Sequence, residues 1–195
     1  NSIQHYVFGK DVQGANRFIT EFSRLMRMTM EFSSRSRIRL EEEIKYLSTY
    51  LELEKKRFEN KFVYHIQTGP GVDPENLDIP SMILQPYIEN SIRHGIRYRQ
   101  DNDGMVTVDF SIQDQYLVCT VEDNGIGREK SKQLKGQTPI EYQSRGMTLT
   151  ARRIEMINKN FRAKILVEVS DIYRENVVSG TKVQICIPME EMTKT

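Results

Sequence analysis

The sequence predicts an α+β fold, with one mixed sheet carrying helices on one face and a short helical segment before it. Three observations predict this fold. Apolar residues recur at helical spacing in several long segments, other segments alternate between apolar and polar residues, and glycine-rich or polar stretches separate the two kinds. The elements follow the order helix, strand, helix, strand, strand, loop, helix, strand, strand, which is typical of a layered α+β domain.

The first predicted element is a helix over residues 15–32. One stripe of it has three- and four-residue spacing, at Phe18, Phe22, Leu25, Met26, Thr29 and Phe32. Such a narrow seam suits packing on another helix. Residues 1–8 are interpreted as the tail of a preceding helix, since Gly9 and Gly14 interrupt the chain. In the alternative interpretation, both helices pack on the core of a single domain.

A connector and a long helix come next. Residues 33–39 are rich in serine and arginine, which predicts a solvated connector. The helix predicted over residues 40–59 has an apolar stripe at Leu40, Ile44, Leu47, Leu51 and Phe58. Residues 62–66 alternate as in a strand, and Gly69-Pro70-Gly71 ends that segment. His65 is interpreted as an outward residue of this strand.

A second helix is predicted from about Pro80 to about His94. Pro80 suits the first turn of a helix, and Pro86 is expected to kink this one. Gly95 is interpreted as its C-terminal cap.

The second half of the chain is predicted to be mostly strands. Strands are expected near residues 105–112 and 116–122, separated by Asp114-Gln115. A loop over 127–145 and a helix over 147–160 follow. The last two strands are expected near 163–170 and 181–188.

The bulk composition limits the function classes. The 195 residues include 28 Lys and Arg against 27 Asp and Glu. The net charge of +1 therefore gives no overall positive potential that would attract nucleic acid or an anionic membrane. No apolar run reaches the roughly 20 residues that span a bilayer. Cys119 and Cys186 lie in strand-like apolar segments, which predicts reduced core cysteines and a cytosolic compartment. Because the sequence begins at Asn1, we expect it to be a fragment.

The predicted helix around residue 90 carries polar groups on a face separate from its core stripe. Tyr87, Asn90, His94 and Arg97 share that sector, whereas Leu84, Ile88, Ser91 and Ile92 form the core side. Magnesium prefers oxygen ligands and keeps several waters, so one asparagine oxygen plus nucleotide phosphates would be a normal ligand set. Arg93 and His94 are candidate contacts for phosphate or ribose. The alternative is a solvated polar face.

A second motif follows a predicted strand, in Glu122-Asp123-Asn124-Gly125-Ile126-Gly127. Alternation puts Asp123 on the same face as the apolar Leu117, Cys119 and Val121, so the carboxylate points inward and needs a donor. The 6-amino group of adenine is such a donor, and guanine lacks it. Gly125 and Gly127 would let the backbone approach the ring. The alternative is a hairpin turn of type I′ at Asn124-Gly125.

A third candidate feature is Gly146, which is predicted to open a helix. The free N–H groups and dipole of a helix start suit a phosphate. The alternative is a flexible entry to a packed helix. Lys130, Lys132 and Lys135 lie in the preceding predicted loop, which could cover a nucleotide as a lid or be ordinary solvated surface.

Taken together, these motifs resemble the ATP site of the GHKL superfamily, whose fold is the Bergerat α/β sandwich. More specifically, the chain resembles the LytS/YehU-type sensor histidine kinases. The matching segments are Leu40-Glu41-Glu42-Glu43-Ile44, the run from Tyr50 to Phe58, Ile79-Pro80, the run from Leu84 to Gly95, and Ser179-Gly180-Thr181. The resemblance covers nearly the whole chain.

The resemblance implies two parts: residues 1–37 as a remnant of the dimerisation and phosphoacceptor helices, and residues 38–195 as the catalytic ATP-binding domain. It implies ATP and Mg²⁺ as cofactors, with Asn90 as the magnesium ligand and Asp123 as the adenine-binding residue. Glu89 and Asn90 are its candidate catalytic residues. The remaining candidate nucleotide contacts are Arg93, His94, Gly125, Gly127, Gly146 and Thr181.

The resemblance further implies a two-component kinase that phosphorylates a histidine and then relays the phosphoryl group to a response regulator. The intact protein would be a homodimer of a bacterial inner-membrane kinase, with this part in the cytoplasm and any membrane contact made by segments absent here. The family's Asn-Pro-His-Phe acceptor string is missing, so His5 is not expected to be the acceptor and the fragment is not expected to autophosphorylate. Thr148 stands where relatives usually have a second glycine.

Two other functions remain open at this point. An anti-sigma-factor-type serine kinase also has an asparagine motif that runs into His-Gly, but it would not need the seam at residues 15–32. A non-catalytic nucleotide-binding module is the other alternative.

Overall fold

The computed structural model describes residues 11–135, 142–160, 162–175 and 177–189. The expected helix over residues 1–8 and His5 lie outside these ranges. The chain forms helix α1 (Val12–Ser33), strand β1 (Arg37–Arg39), helix α2 (Leu40–Arg57), and strands β2 (Phe62–Thr68) and β3 (Asp78–Pro80). Helix α3 (Gln85–Asn90) continues as a π-helical turn (Ser91–Gly95) and a 3₁₀ turn (Ile96–Tyr98).

The remaining elements are mostly strands. They are β4 (Gly104–Gln113), β5 (Tyr116–Asp123), helices α4 (Arg128–Lys135) and α5 (Tyr142–Asn160), β6 (Leu166–Arg174) and β7 (Val177–Pro188). The main sheet has five strands in the order β2-β4-β5-β7-β6, in which β2 and β4 are parallel and the other neighbours are antiparallel. The predicted mixed α+β fold is therefore confirmed.

One face of the sheet forms the core with α2 and α3. Alternate residues of β5, Leu117, Cys119 and Val121, are buried there, as their period-two spacing predicts. The helices contribute Leu40, Tyr46, Leu47, Leu51, Leu84, Ile88 and Ile92. Both cysteines are free, but the predicted core position is confirmed only for Cys119, since Cys186 is partly exposed. Cys119 is paired with Ile185 across β5 and β7, so the adjacent Cys186 points to the opposite face.

The segment before α3 corrects two predictions about prolines. Pro80 is the last residue of β3 and not the start of a helix. Pro86 does not kink α3, because it lies in the first turn, where the missing N–H breaks no hydrogen bond. Gly95 is not a C-terminal cap either: it lies inside the π-helical turn, and the helical path continues to Tyr98.

The connector after α1 also differs from its prediction. Instead of being solvated throughout, it contains β1, which pairs antiparallel with β3. Ile38 between two arginines is fully buried. The Ser81 hydroxyl donates to the Phe32 carbonyl at the end of α1, at 2.7 Å. The connector is therefore joined to the segment that leads into α3.

Helix α1 packs on α2 with only one side of its predicted seam. Phe18, Leu25 and Phe32 are buried, and Thr29 forms a hydrogen bond with Tyr46 of α2 at 3.3 Å. Phe22 is 47% exposed and belongs to a second stripe. That stripe consists of Ile19, Phe22, Met26 and Met30, all exposed in this chain. The seam therefore divides between packing within the chain and an uncovered face. Within the described residues, no helix has the length and apolar character needed to cross a bilayer.

Candidate nucleotide site

A cavity of about 310 Å³ opens between the α3 helical segment and the sheet. The helical segment contributes Tyr87, Asn90, Ser91, His94 and Gly95, and the sheet contributes Asp123, Val169, Thr181 and Val183. Gly127, Arg128 and Ser131 close a further side, at the start of α4. This central cavity brings both sequence motifs together, although they are about 30 residues apart in the chain.

Asp123 is the buried acid of the central cavity. It ends β5, its side chain points inward as alternation predicts, and the residue is only 3% exposed. One carboxylate oxygen accepts from Gly125 N at 2.9 Å, and the Ser91 hydroxyl and the Thr181 N–H also donate to this carboxylate. Burial raises the pKa of Asp123 to about 6, although these three hydrogen bonds act to lower it. A carboxylate in this position can accept one more donor from a molecule in the cavity.

The glycines around Asp123 are required by close packing. A Cβ on Gly95 would lie 2.6 Å from an Asp123 carboxylate oxygen, and a Cβ on Gly125 would collide with the Gly95 backbone. Gly127 has φ +78°, and its missing Cβ leaves room for Val178. The helical segment and the loop after β5 therefore touch through backbone alone. Because β5 continues into this loop and not into a hairpin, the type I′ alternative at Asn124-Gly125 is wrong.

The π-helical turn sets which side chains face the cavity. Such wide turns are frequent at functional sites. Asn90 precedes the turn, and both Asn90 and His94 line the cavity, as expected from their predicted common face. Ser91 also faces it, although the helical pattern assigned this residue to the core. A hydroxyl on an otherwise apolar stripe was the signal that could have revealed it, since a buried hydroxyl needs a partner.

Two other predicted site residues on the same segment face elsewhere. Glu89 accepts from Gln85 at 2.8 Å, and Arg93 is exposed. Both charges act on the buried Tyr50 hydroxyl of α2: Glu89 helps to raise the Tyr50 pKa and Arg93 to lower it, while burial raises it most. Of the described residues, Glu89, Arg93 and Arg97 are not among those that line the cavity. The catalytic role of Glu89 and the nucleotide contact of Arg93 stay predictions.

Helix α4 stands where a loop was expected. Arg128 attaches its start to β6: its N–H donates to Asp171 at 3.2 Å and its guanidinium to the Val169 carbonyl at 2.7 Å. Lys130 lies on this helix, as do the backbones of Lys132 and Lys135, and residues 136–141 lie outside the described ranges. Arg128, Ser131 and Val169 line the cavity without any sequence pattern that indicated them.

Gly146 and Thr181 occupy different positions relative to the cavity. Thr181 lies directly opposite Asp123 in the β5–β7 ladder and lines the cavity. Gly146 does not open a helix, because α5 already begins at Tyr142. Its backbone is helical and the side chain of Thr148 is not described, so a phosphate contact there stays a prediction.

The donor set fits a magnesium nucleotide better than a metal held by protein alone. Within the described residues, no group of three or more His, Cys, Asp or Glu side chains could hold a metal ion. Mg²⁺ binds through one or two protein oxygens together with substrate phosphates and water. Asn90 supplies one such oxygen at the cavity wall, and Asp123 supplies a buried acceptor beside Gly95 and Gly127. The predicted contact Gly125 is not among the described residues that line the cavity.

Comparisons with known proteins identify the family. The Sensor protein LytS of Oceanobacillus iheyensis is 30% identical over 195 residues, which cover 97% of this chain and 32% of that protein. A family model for histidine kinases matches residues 1–62. The chain belongs to the LytS-type sensor histidine kinases. It spans about a third of the length of this relative.

A second relative agrees with this family, and a solved structure agrees with the fold. The Sensor protein LytS of Staphylococcus haemolyticus is 26% identical over 181 residues, covering 91% of this chain and 29% of that protein. The nucleotide-free catalytic domain of histidine kinase ThkA superposes with a TM-score of 0.51 at 15% identity, covering 78% of this chain and 96% of that one. At this identity, the ThkA match supports the fold and nothing finer.

Proposed function

We propose that this chain is the ATP-binding catalytic part of a two-component sensor histidine kinase. Residues 1–37 would belong to the dimerisation and phosphoacceptor helices, and residues 38–195 to the catalytic domain. The observation that carries the proposal is Asp123, a buried carboxylate at the wall of the central cavity that shares this cavity with Asn90.

Adenine recognition follows from the chemistry of Asp123. The carboxylate accepts hydrogen bonds only, so its ligand must present a donor. The adenine amino group is a donor, whereas guanine has a carbonyl oxygen at the same ring position. Gly95 and Gly125 let the helical segment and the loop after β5 pack closely around this carboxylate. Of the two purine nucleotides, ATP is therefore the expected ligand.

Asn90 is the proposed magnesium ligand. Its amide oxygen is of the ligand type that Mg²⁺ accepts, and His94 on the same wall would contact the nucleotide. Magnesium would neutralise the phosphate charge during transfer, and the chain itself would mainly bind and orient the nucleotide. Glu89, Arg93, Gly127, Gly146 and Thr181 complete the proposed set of site residues.

The γ-phosphoryl group would pass to a histidine upstream of residue 1 and from there to a response regulator. The exposed stripe of α1, with Ile19, Phe22, Met26 and Met30, suits a homodimer of the intact kinase, because it is an apolar seam at helical spacing. We assign the domain to the cytoplasmic side of a bacterial inner-membrane protein, attached through segments outside this sequence.

Titration calorimetry with Mg·ATP and Mg·GTP tests the nucleotide assignment. We expect clear binding of Mg·ATP and much weaker binding of Mg·GTP, because guanine has a carbonyl oxygen where adenine offers its 6-amino donor to Asp123. Equal affinities for the two nucleotides would contradict the assignment.

A second experiment tests the kinase reaction. Incubated alone with labelled ATP, this chain should gain no acid-labile phosphate, and His5 should stay unmodified. A longer protein that restores the upstream segment should become phosphorylated at a histidine before Asn1. Stoichiometric label on His5 in the present chain would refute the proposed acceptor.

A further inference from the structure

Glu43 of α2 is a completely buried acid that the proposed reaction does not use. Its relative exposure is 0%, although it belongs to a run of three acids in the first turn of a helix, where solvent contact is usual. A buried carboxylate is retained only where other groups compensate for its lost hydration. Its contacts therefore indicate what it holds in place.

Both oxygens of Glu43 bind the backbone just before α3. One accepts from Met82 N at 3.1 Å and the other from Leu84 N at 3.4 Å. The N–H groups at a helix start have no partner within the helix, so they need an acceptor from outside. Here that acceptor comes from about 40 residues away in the chain.

The backbone at the first of these two donors is strained. Met82 has φ +53°, a left-handed conformation that residues with a side chain rarely adopt. Such a conformation persists where its surroundings determine it, and it is frequent at functional sites. Met82 N donates one of the two hydrogen bonds to Glu43 and Leu84 N donates the other, and together they hold the turn from β3 into α3.

A third element also faces the Glu43 carboxylate. The guanidinium of Arg153 on α5 lies close enough for its charge to favour the ionised carboxylate, against the burial that raises the pKa of Glu43. Burial also lowers the pKa of Arg153, which is half-buried. Glu43 thus contacts the start of α3 by hydrogen bonds and α5 by charge.

The helix that starts at this turn carries Asn90 as its last residue. Helix α3 has six residues, so Asn90 lies about 9 Å along the axis from Leu84. A helix this short moves as one unit, and a change at its start reaches the Asn90 side chain. We propose that Glu43 is a positioning residue, which fixes the start of α3 so that the Asn90 amide meets the magnesium nucleotide. This inference rests on the proposed function of Asn90.

The variant Glu43→Gln tests the proposal because it retains size and one acceptor but loses the charge and one of the two backbone hydrogen bonds. The measurement is the dissociation constant for ATP with and without Mg²⁺, by calorimetry. We expect the gain in affinity from Mg²⁺ to fall about tenfold, since small displacements of a positioned group cost that much or more. Affinity for adenosine, which reports on Asp123, should change less than about twofold by the same argument.

Glu54→Gln is the matched control. Glu54 is also a buried acid of α2, but its hydrogen bonds go to Arg57 on the same helix. This variant should leave the magnesium-dependent gain unchanged. The proposal is overturned if folded Glu43→Gln keeps the full increase in ATP affinity that Mg²⁺ gives. It is also overturned if this variant loses ATP affinity equally with and without Mg²⁺.

Failure of a variant to fold and failure of the unmodified chain to bind nucleotide lead to different conclusions. If Glu43→Gln does not fold, Glu43→Asp replaces it with the same expectations, and failure of both to fold makes Glu43 a stability residue and overturns the proposal. If the unmodified chain binds no adenine nucleotide, the proposed function itself fails. If the unmodified chain binds ATP more tightly with Mg²⁺ and Glu43→Gln retains this increase, only the proposed role of Glu43 is refuted.

Discussion

Asp123 and Glu43 are both buried carboxylates, yet their surroundings differ. Burial raises the pKa of Asp123 to about 6 and that of Glu43 to about 7. Both accept hydrogen bonds from backbone N–H groups. Only Asp123 lines the central cavity; the contacts of Glu43 are with the chain itself, at the start of α3 and at Arg153.

The difference shows that a raised pKa does not by itself distinguish a ligand-binding acid from one that organises the fold. Desolvation acts on both groups in the same direction. What separates these two described residues is the cavity, which Asp123 lines and Glu43 does not. Functional assignment therefore rests on the cavity, and the following measurements should separate the two acids.

The largest effect is expected for Asp123→Ala. Adenosine and ATP should bind about a hundredfold more weakly, because a hydrogen bond to a charged group contributes about 1.5–3 kcal/mol. Calorimetry gives the affinity, and circular dichroism should show a retained fold. Asp109→Asn is the control: Asp109 is also an acid with a raised pKa, on β4, but of the described residues it is not among those lining the cavity. A loss of affinity in the control would mean that the effect is not local.

The second effect concerns the pH dependence of stability at Glu43. A carboxyl whose pKa is raised by folding stabilises the fold below its unfolded value near 4.5, and this stabilisation is lost as pH rises through about 7. Glu43→Gln removes this titration. From pH 5 to pH 8, the free energy of unfolding should fall in both proteins. The fall should be smaller in Glu43→Gln than in the unmodified chain, and the two falls should differ by about 2 kcal/mol. Urea titrations at several pH values measure this, and parallel pH profiles would contradict the pKa shift.

A smaller effect is expected for Asn90→Ala. Loss of one magnesium ligand should reduce the affinity for ATP about tenfold in the presence of Mg²⁺, equivalent to about 1.4 kcal/mol. Binding without Mg²⁺ should be nearly unchanged, since Asp123 remains intact. Calorimetry under both conditions makes the comparison. Equal losses with and without magnesium would assign Asn90 to another role.

The smallest effect is the pH dependence of adenosine binding. The ionised Asp123 is the better acceptor, and its pKa is about 6. Affinity should therefore decline about fourfold from pH 7 to pH 5.5, as the carboxylate takes up a proton. Adenosine is used because it has no phosphate that titrates in this window. An NMR titration that gives a flat profile would show that the pKa of Asp123 is not raised.

The sequence predicted those parts of the molecule that depend on periodicity. The alternation in β5 correctly turned Asp123 inward, and the helical spacing grouped Asn90 with His94 on the cavity wall. The sequence-based prediction was wrong where contacts between distant segments determine the local structure. Pro80 suits a helix start equally well in isolation, but pairing with β1 makes it a strand residue.

Other features had at most a weak local signal. Ser91 has a helical position typical of the core, and only the approach of Asp123 gives its hydroxyl a partner. Glu43 lies among charged neighbours that indicate a solvated helix start, whereas the position of the Met82 turn determines its burial. Such residues depend on distant segments, which a local pattern does not contain.

Because β1 pairs with β3, the connector links α1 to the segment before α3 through a two-stranded sheet and not through a flexible loop. Ser81 donates to Phe32 at the end of α1, the N–H of Ser81 donates to Ser36, and the N–H of Leu40 donates to Leu77. The same short segment then runs into α3 and Asn90. A rotation of α1 about its own axis would be transmitted through this connector to the end of the cavity where Asn90 lies, without first passing through the main sheet.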